Sequence, residues 1–229
     1  MAYVPNIQST KDVASKGVNM LVYGQAGAGK TSLIATLPKP IIISAEGGLL
    51  SISDHDIPFV EIRNLDDLRG VYSYVMNDGG AYESVAIDSL TEIAEIVLTT
   101  EKKNSKDPRQ AYGALIDQMS LIVRNFRDMG KNVYMTAWLD RIKDDMTGAM
   151  LYGPSMPGSK LGQSIPHFFD IVAALRVERD QQGEIYRALM CQTDGHWSAK
   201  DRTNTLAMWE QLHLGDIINR IKLKWKEKS

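Results

Sequence analysis

The sequence predicts an α/β domain with a mostly parallel sheet flanked by helices. Three observations carry that expectation. Short apolar runs rich in β-branched residues alternate with stretches of helical periodicity, the pattern of successive strand–helix units. The first such run ends in a glycine-rich turn that leads directly into a helix. The 229 residues have an ordinary globular composition, enough to bury a sizeable core without a disulfide or structural metal.

The elements follow in order. Met20-Leu21-Val22-Tyr23 is a short apolar run closed by Gly24 and reads as a buried strand. Residues 31–37 read as a helix stopped by Pro38 and Pro40, because proline lacks the amide hydrogen that a helix needs. Ile41-Ile42-Ile43 reads as a second buried strand. A helix over 65–76 has Asn64 as its N-cap and Asp78-Gly79-Gly80 as its stop. Val85-Ala86-Ile87 is a third strand, ending at Asp88. The next helix, 90–103, sets Leu90, Ile93, Ala94, Val97 and Leu98 on one face. Another covers 110–129 and closes at Gly130, and 132–137 is a fourth strand. Residues 140–166 are rich in glycine, proline and methionine and read as a flexible excursion with room for a hairpin. Strands over 171–177 and 185–191 flank the turn Asp180-Gln181-Gln182-Gly183. An amphipathic helix over 215–225 puts Ile217, Ile218, Ile221 and Trp225 on one side. The expected organisation is an N-terminal segment 1–19, a core 20–206 and a basic C-terminal helix 207–229.

Composition narrows the function classes. The single cysteine, Cys191, excludes an intrachain disulfide and argues against a thiolate-rich zinc site. His55, His167, His196 and His213 lack metal-ligand spacing. No apolar run is long enough to span a bilayer and residues 1–17 lack the apolar stretch of a secretory signal, so a cytoplasmic protein without a membrane partner is expected. A net charge of −2 excludes a uniformly basic coat but not a local basic patch.

Gly24-Gln25-Ala26-Gly27-Ala28-Gly29-Lys30-Thr31, followed by Ser32, fits the G-x-x-x-x-G-K-[ST] pattern of a phosphate-binding P-loop. Glycines let backbone amides turn inward and approach phosphate oxygens, and the next helix directs its N-terminus at the same anion. Lys30 then supplies a point charge to the β- and γ-phosphates, and the Thr31 hydroxyl a ligand for Mg2+. Such a site needs a second acidic group at a neighbouring strand end, and Asp88 is placed for it. Asp88 or Ser89 also reads as the N-cap of the following helix, and the two readings are compatible. Glu46 lies just past the second strand, where a carboxylate can activate water or simply sit solvated ahead of Gly47-Gly48.

In order and spacing, Gly24 to Thr31, Ile43-Ser44-Ala45-Glu46 and Ala86-Ile87-Asp88-Ser89 resemble the RecA-type ATPase core. More narrowly they look like the small phage-encoded RecA-like ATPases, which include the core-only single-strand annealing proteins of the Sak group. The resemblance spans residues 17–206, so the core fills most of the 229-residue chain. It implies that Glu46 is the catalytic base. It also implies a polar sensor, often Gln or His, where this chain has Trp138, with Thr136 a weak substitute. The family's mobile DNA-binding loops fall at 140–166, whose Arg141, Lys143 and Lys160 would contact phosphates, against Asp140, Asp144 and Asp145. Paired basic residues at the place of Lys200-Asp201-Arg202 reach a neighbouring subunit's γ-phosphate in the family, so Lys200 and Arg202 acquire a role in trans beside that of a surface turn.

The resemblance implies ATP and Mg2+ as cofactors, single-stranded DNA as partner, a homo-oligomer, and a phage or host single-strand-binding protein as a further partner. The expected function is Mg2+-dependent ATP hydrolysis coupled to single-stranded DNA in phage recombination or annealing. Two alternatives stand beside it: a nucleotide-switched loader without productive hydrolysis, which the departure at Trp138 favours, and a small-molecule kinase. A GTPase is disfavoured because no Asn-Lys-x-Asp motif occurs. The tail from Arg220 to Lys228 holds five basic residues against one acidic, as a nucleic-acid contact or as a solvated helix face. His196-Trp197 reads as a turn beside the core rather than a base-stacking pair.

Overall fold

Strand β1 (Asn19–Gly24) is buried along its whole length, because both of its faces are covered. The structure is a computed structural model that describes residues 9, 16–144 and 146–227. Most of the segment 1–19, Asp145 of the excursion and Lys228 of the tail lie outside the described residues. The parallel strands are β1, β2 (Pro40–Ser44), β3 (Phe59–Glu61), β4 (Ser84–Asp88), β5 (Asn132–Lys143) and β7 (Ile171–Arg179). Four more strands pair antiparallel: β6 (Met150–Pro154) on β5, β8 (Ile185–Met190) and β9 (Lys200–Asp201) on β7, and β10 (Trp209–Glu210) on β8. The sheet runs β10-β8-β7-β1-β5-β4-β2-β3.

Alternation along the strands divides the core in two. Leu21, Tyr23, Ile41, Ile43, Val85 and Ile87 face α1 (Leu65–Asn77), α2 (Leu90–Asn104) and α3 (Pro108–Arg127). Met20, Val22, Ile42 and Ala86 face Ile34 and the helix α5 (Leu214–Glu227), which docks through Ile217, Ile218 and Ile221, with Trp225 partly buried beside them. The caps follow local chemistry. Asn64 accepts the amides of Asp66 and Asp67 at the start of α1, and Asp107 accepts that of Arg109 ahead of Pro108.

The structure corrects the sequence in three places. The helix after the glycine-rich turn is a 3-10 helix, Ser32–Thr36. Only a few residues separate Thr31 from Pro38, too short a run for an α-helix to recover its nucleation cost. Second, β3 is an additional edge strand of three exposed residues, held by parallel pairing to β2. Third, β5 does not end at Ala137. It continues to Lys143 because β6 pairs with it from Leu139↔Pro154 to Lys143↔Met150. Residues 140–166 are therefore a β-hairpin followed by the short helix α4 (Ser159–Ser164) and the start of a 3-10 turn (Ile165–Phe168).

Candidate functional site

β1 sits between β5 and β7, with Gly24 in register with Trp138 on one side and Leu175 on the other. The glycine-rich loop thus leaves the sheet at its carboxyl edge, between two antiparallel hairpins. A cleft of about 930 Å³ opens there, lined by Lys30, Thr31, Glu46, Asp88, Trp138 and Arg141 among others. Two glycines are required by the backbone. A Cβ on Gly24 would stand 2.7 Å from the carbonyl oxygen of Leu175, and Gly29 has φ +108°, a conformation strained for any L side chain.

Lys30 is 9 % exposed and its ammonium donates to the carbonyls of Gly24 (2.9 Å) and Gln25 (3.0 Å). Burial lowers its pKa, opposed by the charges of Glu46 and Asp88. The Tyr134 hydroxyl, in the buried core, donates to the Lys30 carbonyl at 2.8 Å and fixes the end of the loop.

Asp88, at the end of β4, is 2 % exposed. One carboxylate oxygen accepts from the Thr31 hydroxyl at 2.7 Å, and the other accepts from the Thr136 hydroxyl. Burial raises its pKa, hydrogen bonds from Thr136 and Thr31 pull it down, and Glu46 and Lys30 act in opposite directions. Ser89, not Asp88, caps α2 by accepting the Glu92 amide. Asp88 is thereby left to the cleft.

Glu46 follows β2, and its backbone amide and that of Ala45 both donate to the Asp88 carbonyl. Its carboxylate is exposed and accepts the indole N–H of Trp138. Trp138 stands at the place where the resemblance implies a polar sensor, and its indole N–H is engaged with Glu46. Thr136, read as a weak sensor, is wholly buried against Asp88 instead. Both contacts were missed from sequence. The signal available was the two-residue period from Tyr134 through Thr136 to Trp138.

The other predicted residues divide. Of the three expected DNA contacts, Arg141 lines the cleft, Lys143 is exposed beside the hairpin turn opposite Met150, and Lys160 is exposed on α4. Lys200 pairs with Val172 and Asp201 with Ile171, so β9 lies near the start of β7. Leu175, the residue beside the loop, is about 10 Å further along that strand. The structure therefore does not bring Lys200 and Arg202 to this chain's own loop. Arg202 donates to the His167 carbonyl at 2.8 Å, and burial and then the charge of Arg202 push the Lys200 amine down to about 8.

Trp197 stacks on Tyr152 with ring centroids 4.3 Å apart and carries the Arg176 guanidinium at 4.6 Å, so it is engaged within the chain. Two basic groups of the tail are also engaged: Arg220 pairs with Glu210, and Lys224 donates to the carbonyls of Thr203 and Asn204. Among the described residues no cluster of three or more His, Cys, Asp or Glu side chains could hold a metal, and no helix is long and apolar enough to cross a membrane.

A mostly parallel sheet with a glycine-rich phosphate loop at its carboxyl edge and a buried acidic strand end beside it defines a P-loop NTPase core of RecA type. The sequence matches the AAA domain family (AAA_24) over residues 16–203, and the chain belongs to that family. It is a nucleotide-binding ATPase domain, and membership implies ATP as the nucleotide, usually with Mg2+. Among solved structures it is similar to a KaiC-like protein of the hyperthermophilic archaeon Pyrococcus horikoshii OT3, with 15% identity and a TM-score of 0.45, over 76% of this chain and 78% of that one. No curated protein matches the sequence.

Proposed function

We propose that this chain is a Mg2+-dependent ATPase that binds single-stranded DNA and acts in phage recombination or annealing, in keeping with its resemblance to the Sak group. The observation that carries the ATPase reading is the convergence of Lys30, Thr31, Asp88 and Glu46 on one cleft. The loop amides and the Lys30 ammonium bind the phosphates, the ammonium exchanging its two loop carbonyls for phosphate oxygens. The Thr31 hydroxyl and the Asp88 carboxylate, 2.7 Å apart, are two hard oxygen donors at one corner of the cleft, a set that suits Mg2+. When bound there, Mg2+ neutralises charge on the phosphates during transfer. Glu46 accepts the proton of the water that attacks the γ-phosphate.

Lys200 and Arg202 lie away from their own cleft, which fits a role on the γ-phosphate of a neighbouring copy in a homo-oligomer. The DNA reading is supported by the exposed hairpin beside the cleft, with Arg141, Lys143, Ile142 and Met146, and by Lys160 on α4.

ATP hydrolysis is measured for the wild-type chain and Lys30→Ala, with and without single-stranded DNA, together with annealing of complementary strands. The expected result is hydrolysis that the DNA stimulates and the substitution abolishes. Absence of DNA binding at low salt overturns the recombination reading, and turnover raised by a small-molecule phosphoacceptor makes the chain a kinase.

A further inference from the structure

The indole of Trp138 is placed for something other than packing. The side chain is 42 % exposed, so burial does not account for a tryptophan here. Its one polar group, the N–H, is used on Glu46. The two residues are 92 apart in sequence, on β5 and just past β2, and strand β4 runs between those two strands. The pair therefore spans the end of β4, where Asp88 meets Thr31.

Both partners are held by their backbones. The Trp138 amide donates to the Thr91 hydroxyl at 3.0 Å, and its carbonyl accepts the Ser155 amide at 2.7 Å. The Thr91 hydroxyl in turn donates to the Ser155 carbonyl at 2.9 Å. Trp138 is thus tied to the first turn of α2 and to the residue that follows β6. On the other side, the amides of Ala45 and Glu46 donate to the Asp88 carbonyl. What remains free is the Glu46 side chain, an exposed carboxylate on a flexible stem. The indole holds one of its oxygens, and Glu46 lines the cleft.

We propose that Trp138 is the positioning residue for Glu46, supplying through its indole N–H the hydrogen bond that orients the carboxylate toward the attacking water. The inference rests on the reading of Glu46 as the base. A base that wanders over several rotamers spends little time in reach of the water, so losing the anchor lowers turnover without weakening nucleotide binding. The phosphate contacts come from the loop amides and Lys30; Trp138 neighbours the loop through the pairing of β5 with Gly24, which a change of side chain leaves in place.

The test uses the full chain and five proteins: wild type, Trp138→Phe, Trp138→Gln, Glu46→Gln and the double variant Trp138→Phe/Glu46→Gln. Steady-state hydrolysis gives kcat and KM, and a fluorescent ATP analogue gives Kd, which also reports that each variant is folded. Trp138→Phe keeps a ring and loses the donor, and kcat is expected to fall about tenfold with KM and Kd within about twofold. Trp138→Gln restores an N–H donor and is expected to recover most of that loss. In the Glu46→Gln background, Trp138→Phe is expected to change kcat no further. A Trp138→Phe kcat that stays within twofold of wild type or rises overturns the inference, as does a Trp138→Gln variant no better than Trp138→Phe. If Glu46→Gln abolishes turnover while Trp138→Phe is normal, only the positioning role falls. If Glu46→Gln leaves turnover unchanged, the reading of Glu46 as base falls with it.

Discussion

Thr136→Val removes one hydroxyl from beneath a buried carboxylate and leaves the shape of the core nearly unchanged. Thr136 is 0 % and Asp88 2 % exposed, so no water replaces the lost donor, and the Asp88 oxygen that accepted it is left buried and unpaired. Hydrogen bonds to charged groups contribute about 1.5–3 kcal/mol, and that is the expected loss of stability at neutral pH. At about 2.1 cal/mol/K of unfolding entropy per residue, a chain of this size loses about 3–6 °C in Tm. The loss depends on pH in a defined direction. The Thr136 hydroxyl lowers the Asp88 pKa from where burial alone would set it. Its contribution is therefore present while Asp88 is ionised and shrinks as pH falls through the folded-state pKa, where only a bond to a neutral acid remains. Thermal unfolding of the wild type and Thr136→Val across a pH series measures this. A Tm loss under about 1 °C, or a loss that does not change with pH, refutes the view that Thr136 supports a charged Asp88.

Other outcomes follow from the same geometry. Asp88→Asn removes a charge whose burial raises its pKa, so it is expected to abolish Mg2+-stimulated hydrolysis without lowering the denaturation midpoint at neutral pH. The wild type is expected to gain on this variant as pH falls, because protonation ends the cost of burying the charge; urea titrations at two pH values check it. Gly24→Ala would put a methyl 2.7 Å from the Leu175 carbonyl, so it is expected to cost about 1–3 kcal/mol of stability and to weaken nucleotide binding, measured by denaturation and by a fluorescent nucleotide. If Lys200 acts as a cation on a neighbouring nucleotide, hydrolysis is expected to fall as pH rises past about 8, where its amine loses the proton. Lys200→Arg keeps the charge and is expected to remove that fall from the pH–rate profile.

Much of the site was readable because its chemistry is local. The residues from Gly24 to Thr31 are contiguous, and the turn they form needs only glycine's freedom and the helix that follows. Asp88 and Glu46 stand where apolar runs stop, and the end of a buried strand in such a sheet is its ligand-binding edge. Caps at Asn64 and Ser89 are likewise short-range events. By contrast, β3 is only three residues long and exposed, too short a run to read as a strand, and pairing with β2 makes it one. β5 reads as finished at Ala137 because its extension to Lys143 depends on pairing with β6, and the composition of 140–166 leaves room for a hairpin without setting its limits or register.

The alternation of apolar runs, the phosphate loop and the acidic strand ends were thus written in the chain, since each depends on neighbours within a few residues. Which side chains meet across the sheet was decided only by the fold. Thr136 reaches Asp88 across 48 residues and Trp138 reaches Glu46 across 92. Those contacts exist because β4 is inserted between β5 and β2 and because β5 takes its register from both β1 and β4. Strand order and register are set by the summed burial of two sheet faces, a quantity spread over the whole core that no short segment contains.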